Sequence, residues 1–529
     1  MKLRSFLFKV GLVVTLSLCV FSAAWAANPE DALSARPKES MYVVLGLEDL
    51  GALLRWGLSE ENLKTFAPLA DLDEDSIQMI TSTLANIPVK SAALVVGMTA
   101  EGMPFLQAAL SGAEAENVGE FVLGKGNPMA PMIESMLQES EIAFEMKDGL
   151  LLLSFGADCL KEGLSALEDE SKRLSIKRRF PAKDFALFHT DLETAGTISV
   201  SMAEDDEARA DAEEKLKSLK NYFRAPIDVE MGFESFRDRF LISVGMNLRE
   251  AMKPDFLKDF ENLKPVPGGH ISLLGEGSPL AALGSTLNLR SLRRYEELKE
   301  TVDEGLEALK EFGLSVKDIQ SLVNGSFSLT VGGGFFQCEG IQVPNLYITQ
   351  TGEDGAAAAV VNVLAAKEDL PLNPVQAEGW DKTLQVDSAV SPVPCLMGAK
   401  DETILVGLTD AASLAKTPSP SAGLQKLLAK ESLGAMFLDF AGIQDYLKGA
   451  EGPLSMVLSL AGSVTGEDSL TGMAGLIRDV LDAKLSIPSV SLWGSDIESC
   501  FIEFALAEVP SGEGLWARLA KFALALQNL

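Results

Sequence analysis

The chain has 529 residues, 47% of them apolar, with 45 basic and 76 acidic side chains and a formal charge of −31. That size and apolar content exclude a peptide-scale or disordered protein, and the charge opposes binding to phosphate backbones or anionic lipid surfaces. With only two histidines and five cysteines, there is little raw material for His-dependent catalysis or His-rich metal sites.

At the N-terminus, Lys2, Arg4 and Lys9 lead into the apolar stretch Val10 to Phe21, and the small-residue site Ala24-Trp25-Ala26 follows. This is the three-part pattern of a secretory signal, with cleavage expected after Ala26. The alternative is a signal retained as an anchor, but the apolar run falls short of the ~20 residues that span a bilayer. Leu18 precedes Cys19, which does not fit a lipoprotein signal. Loss of residues 1–26 takes three cations and no acids from the formal −31, so the remainder carries −34. The run Pro453 to Val464 is too short and too polar to span a membrane. A soluble protein, periplasmic or secreted, is expected.

A strand turning into a helix is read at Ser40 to Leu54, with echoes at Phe185 to Ala195, His270 to Leu283 and Gly434 to Leu447. Each is followed, after helical sequence, by a pair of strands. The first and third pairs match at an offset of 235: Ser91 with Ser326, Leu94 with Leu329, Val96 with Val331, and Gly97 with Gly332. A further hairpin is read in each half, around Asp148-Gly149 and from Cys395 to Gly407. A surface helix is read from about Glu204 to Phe223, and another helix from Ser291 to Phe312, closed by Gly313. Lys264 to Gly269, with two prolines and two glycines, reads as a linker. The expected organisation is a signal (1–26), a first half (27–263), a linker (264–269) and a second half (270–529). The expected fold class is α+β, two tandem pseudo-repeat halves, each an antiparallel sheet covered on one face by helices.

No catalytic or metal-binding residues emerge. Asp71 to Asp75 begins like a calcium loop, but Ser76 and Ser82 stand where Gly and Glu are needed, and helix capping explains the acids. Gly332-Gly333-Gly334 lacks the Lys-Ser or Lys-Thr of a phosphate loop and reads as a bulge or turn. His189 lies in a strand-like run and His270 follows two glycines, so both read as structural. The basic cluster Lys172, Arg173, Lys177, Arg178 and Arg179 reads as a solvated connector, or as a dock for an anionic partner or an acidic patch of the protein itself. Cys159, Cys338, Cys395 and Cys500 show no zinc spacing. Cys338 with Cys395 is a candidate disulfide, with buried free thiols as the alternative.

The unit at Met41 to Leu54, with its echoes at Phe185, His270 and Gly434, resembles uncharacterised secreted bacterial proteins with tandem strand-helix-hairpin repeats, a domain of unknown function. The resemblance implies location and architecture, and it supplies no catalytic residues or cofactor. The expected function is that of an exported, soluble, non-enzymatic cell-envelope binding or assembly protein. Its partner would be an envelope protein or an apolar ligand, without nucleic acid and without an integral membrane span after signal removal. Two alternatives stand beside it: a periplasmic carrier of lipid or another apolar ligand, and a carboxylate-dependent hydrolase.

Overall fold

The computed structural model describes residues 29–48, 89–112, 141–288, 324–449 and 488–506, less 37–38, 100, 156, 204, 237, 262, 339–340, 353–354, 368 and 392. Isolated positions at 135 and between 299 and 310 are also described. The signal, the acidic run Asp71 to Asp75, most of the helix read from Ser291, and the run Pro453 to Val464 lie outside the described residues.

The chain divides into two compact units, the first formed by Met1–Ser235 with Leu241–Leu257, the second by Lys258–Val509 with Phe236–Phe240. The first carries strands β1 (Ser40–Leu47), β2 (Val89–Thr99), β3 (Pro104–Gly112), β4 (Ile142–Lys147), β5 (Leu150–Phe155), β6 (Asp184–Thr190), β7 (Ile227–Ser235) and β8 (Arg239–Met246). They pair antiparallel in the order β4–β5–β3–β2–β1–β6–β7, and β8 follows β7.

The second unit carries a short pair, β9 (Val266–Pro267) with β17 (Glu431–Ser432), so the stretch read as a linker holds a strand. Its main strands are β10 (Pro279–Asn288), β11 (Asn324–Cys338), β12 (Ile341–Thr351), β13 (Leu372–Val375), β14 (Lys382–Val386), β15 (Cys395–Lys400), β16 (Thr403–Leu408), β18 (Gly434–Asp439), β19 (Ser489–Asp496) and β20 (Ser499–Ala505). Their order is β13–β14–β15–β16–β12–β11–β10–β18–β19–β20. Apart from the extra hairpin β13–β14, this is the pairing order of the first unit.

The expected helix-covered α+β fold is corrected. Among the described residues, strand accounts for 45% and helix for 30%, and eighteen antiparallel strands dominate. The reason lies in what closes the core of the first unit. Period-two alternation puts Val44, Val95, Phe105, Phe185 and Leu187 on one sheet face. Leu33, Leu174 and Ile176 pack against that face, and they belong to the segments 33–36 and 173–178, which are not helical. Polar residues within the face fasten these segments. Gln107, 2% exposed, accepts from the backbone N–H and the hydroxyl of Ser34 and donates to the Cys159 carbonyl. Helix α1 (Ala157–Glu168) covers only the end of the sheet, setting Leu160, Leu164 and Leu167 on Leu150, Leu152 and Ala109.

Individual elements obey local chemistry. Asp148 and Gly149 both take positive φ (51° and 77°), as a two-residue turn with the hand of the strands requires. Helix α2 (Leu192–Met202) is capped by Asp191, and α3 (Asp206–Tyr222), with no buried residue, is capped by Asp205. The strand read from His270 does not form. Gly268, Gly269 and His270 all have positive φ, and β10 begins only at Pro279. Gly332, Gly333 and Gly334, at φ of 96°, 68° and 111°, bulge from β11 between its Val331–Leu346 and Phe335–Pro344 pairs, facing Asn345.

The register also bears on the candidate disulfide. Cys395 is a free thiol opposite Leu408, which in turn lies opposite Leu346, whereas Cys338 lies opposite Ile341. Five residues along β12 separate those levels, about 17 Å at strand spacing. A disulfide needs Cα atoms within about 7 Å, so the register keeps Cys338 and Cys395 apart.

Candidate functional site

Residues directly opposite one another in antiparallel strands share a face. In the first unit this builds one transverse row: Phe105 opposite Gly97, Gly97 opposite Tyr42, Tyr42 opposite His189, and His189 opposite Asp228. Five strands far apart in sequence thus bring an aromatic, a phenol, an imidazole and a carboxylate into line.

At one end, His189 Nδ1 lies 2.6 Å from Asp228 Oδ1. Asn247, just beyond β8, holds that carboxylate: its Nδ2 donates to Asp228 Oδ2 and to the Pro226 carbonyl, each at 3.1 Å, and its Oδ1 accepts from the Asp228 N–H. The His189 ring stacks on Tyr42 with centroids 4.6 Å apart. His189 is buried, whereas Asp228 keeps 42% of its side chain exposed and forms the solvent end of the row.

At the other end, the Arg36 guanidinium lies 4.5 Å over the Phe105 ring. Its side chain is 6% exposed, and its Nη1 pairs with Glu162 Oε2 at 3.1 Å. The neighbouring donors Nε and Nη2 are buried without a hydrogen-bond partner among the described residues. Cys159 lies in the field of this guanidinium; burial pushes its thiol up, opposed by Arg36.

The row is coupled electrostatically. Burial, with a smaller contribution from Asp228 and opposed by Arg36, pushes the Tyr42 phenol up to about 12. An ultraviolet titration should therefore show one tyrosine ionising about two units above the ordinary value near 10, and Tyr42→Phe should remove that transition. Because the folded-state pKa is raised, the stabilising contribution is complete below pH about 10 and is lost as pH climbs through about 12. An unchanged titration in the variant would assign the high transition to another phenol, such as the buried Tyr347, which burial also pushes up.

The second unit has the same positions without this chemistry. Aligning the Leu45–Leu94 pair with Leu283–Leu329 puts Leu280 where Tyr42 stands, with Asn345, Asp439 and Ser489 in place of Phe105, His189 and Asp228. Leu280 falls at a bulge there, with Pro279 paired to Gly332 and Ala281 to Val331, whereas the ladders through Tyr42 run unbroken. The aromatic and charged row is thus a feature of the first unit and not a requirement of the strand order.

The basic cluster dissolves into internal contacts. Arg173 pairs with Asp31 at 2.9 Å. Arg178 stacks 3.5 Å over Phe185 and donates from Nε to Glu230, whose side chain is 5% exposed. The backbone N–H groups of Arg179 and Phe180 donate to the same carboxylate. Arg173 and Arg178 therefore dock acids of the chain itself.

Sequence reasoning places His189 in a strand but assigns it only packing. The available signal is alternation: Phe185, Leu187 and His189 fall on one face, and a polar ring on a core face needs a partner. Arg36, Tyr42, Phe105 and Asp228 do not stand out in the sequence, since only register unites them. Ala26 and the side chain of Cys338 lie outside the described set. Among the described residues, no group of three His, Cys, Asp or Glu side chains could hold a metal ion. No helix among them is long and apolar enough to cross a membrane. Compared with known proteins, the chain matches no family model and no curated protein.

Proposed function

We propose that the chain is an exported, non-enzymatic binding protein of the cell envelope whose recognition residues belong to the first unit. The observation that supports this reading most directly is the transverse row itself, chemically specialised in one unit and replaced by Leu280 and Ser489 in the other. The His189–Asp228 pair has the contact that orients an imidazole in hydrolases. Here the ring is stacked under Tyr42 and buried, an arrangement suited to holding a surface in place. Export rests on the pattern that ends at Ala26.

A carrier role is the second reading, favoured by the open donors of Arg36 amid apolar neighbours. The test is fractionation of the native host with N-terminal sequencing of the recovered protein. A chain beginning at Ala27 in the exported fraction is the expected result. An intact N-terminus in the cytoplasm would overturn the assignment.

A further inference from the structure

We propose that the outer edge of β4 is a self-association surface, pairing antiparallel with β4 of a second copy of this chain about a two-fold axis at Phe144. The contact is independent of the binding-protein reading above.

The second unit shows what such an edge receives. Leu94 matches Leu329, and opposite residues across three strands carry Leu94 to Ala108, Leu153 and Phe144, and Leu329 to Ile348, Val406 and Met397. Phe144 of β4 and Met397 of β15 are therefore equivalent. Their hairpins agree as well, with Asp148 and Asp401 at φ of 51° and 48°. Beyond Met397, β14 adds a further strand and sets Leu384, 1% exposed, opposite it. Beyond Phe144, no strand pairs with β4 among the described residues. The first unit's connection, 113–141, is shorter than its counterpart, 352–394, by about the length of the hairpin Leu372–Val386.

Turn geometry fixes which backbone groups face outward. A two-residue turn makes Lys147 and Leu150 a hydrogen-bonded pair, so Glu145 and Ala143 bond to β5, while Met146, Phe144 and Ile142 direct N–H and C=O away from it. The second unit has the same polarity: the carbonyl of Ala399, the counterpart of Met146, accepts from the Asp381 N–H outside the β15–β16 pair. Exposed edges invite pairing unless they are blunted. The end strand β13 is short and carries Pro374. β4 has no proline, and its charges select a register. With Phe144 opposite its own copy, Ile142, Phe144 and Met146 exchange all their outward groups, about six hydrogen bonds. Lys147 then stands opposite Glu141, and Glu145 opposite Ala143. Both neighbouring registers that keep the faces set Glu145 against an acid, either its own copy or Glu141, which is repulsive. The apolar face agrees. Phe144 and Met146, only half-buried, share the face of Leu153 and Leu151. The second copy lays Phe144 beside Phe144 and Met146 beside Ile142, continuing that face across the axis.

Sedimentation equilibrium of the chain beginning at Ala27 tests this. Between about 1 and about 200 μM the mass should rise from one chain to two, with a dissociation constant on the order of 10 μM, as a small edge contact gives. Phe144→Pro deletes the N–H at the axis, which faces away from β5, so it should weaken the dimer at least about tenfold while leaving urea unfolding near that of the unsubstituted chain. Phe144→Cys supplies an arm that does not depend on the strand tolerating proline. Oxidation of the concentrated variant should give a covalent dimer, because opposite residues of a hydrogen-bonded pair lie about 5.5 Å apart at Cα, within disulfide reach. Glu145→Cys, off the axis, should cross-link far less, with the unsubstituted chain as the control for Cys159, Cys395 and Cys500. A mass of one chain throughout, a dimer that Phe144→Pro leaves intact, or cross-linking as ready in Glu145→Cys as in Phe144→Cys would overturn the pairing.

Discussion

Replacing Glu230 with Ala will lower the unfolding free energy of the first unit by about 3–5 kcal/mol, the usual cost of removing one partner from a buried, hydrogen-bonded ion pair. Glu230 projects from β7 into the core face, 5% exposed, and accepts from Arg178 Nε at 2.9 Å and from the backbone N–H groups of Arg179 and Phe180. Its loss leaves a guanidinium and two amides without their acceptor in a largely buried site, the Arg178 side chain being 22% exposed. The Arg178 Nη2 bond to the Ala182 carbonyl and its stacking on Phe185 would remain, but neither satisfies the open amides. The segment from Arg178 to Ala182 stacks Arg178 on Phe185 and buries Phe180 and Ala182, so its release exposes apolar surface as well. Urea unfolding gives the measurement. Glu230→Gln, which keeps an acceptor without the charge, should cost less. The exposed pair Lys183–Glu48, 73% and 47% exposed, sets the contrast: Lys183→Ala should change stability by less than about 1 kcal/mol. A loss of that small size for Glu230→Ala would mean that the segment is held by its apolar contacts alone.

The same carboxylate shows where sequence reading stops. The strand from Ile227 to Phe233 is visible in the sequence, and so is the Asp148-Gly149 hairpin, because turn chemistry and period two are local. The match of Leu94 and Val96 with Leu329 and Val331 is local too. What Glu230 binds is not. Arg178 stands 52 residues away, in a cluster whose composition alone reads as a connector. The helix-covered fold fails for a related reason. The polar fasteners Gln107 and Glu230, which let extended segments close the core, gain meaning only when the strands are paired. His270 fails differently. A strand start after two glycines is a fair expectation, but three successive positive φ values carry the chain out of the sheet before Pro279.

The transverse row is the most non-local feature of all, and Gly97 is the residue that makes it. Its backbone lies between Tyr42 and Phe105, and a Cβ built there would stand 2.2 Å from the Met41 carbonyl oxygen, 2.6 Å from Tyr42 Cβ and 2.8 Å from Phe105 Cζ. The first of these atoms is backbone in the β1–β2 ladder and cannot retreat without breaking strand pairing. Gly97→Ala should therefore cost about 1–3 kcal/mol as overpacking, and Gly97→Val more. Gly102 supplies the control. It takes φ of 72° with nothing within 4 Å of a Cβ, so Gly102→Ala meets only the backbone preference, about 1–2 kcal/mol, without disturbing the row. The discriminating readout is the Tyr42 phenol. If close packing across Gly97 keeps it buried beside His189, Gly97→Val must bring its ionisation down from about 12 toward the ordinary range, while Gly102→Ala leaves it in place. A Gly97→Val protein that is less stable yet keeps the high phenol pKa would show that Phe105 and Tyr42 are positioned separately. In that case the Arg36 fork and the His189–Asp228 pair would be two neighbouring features of one face, and the row would have no common function.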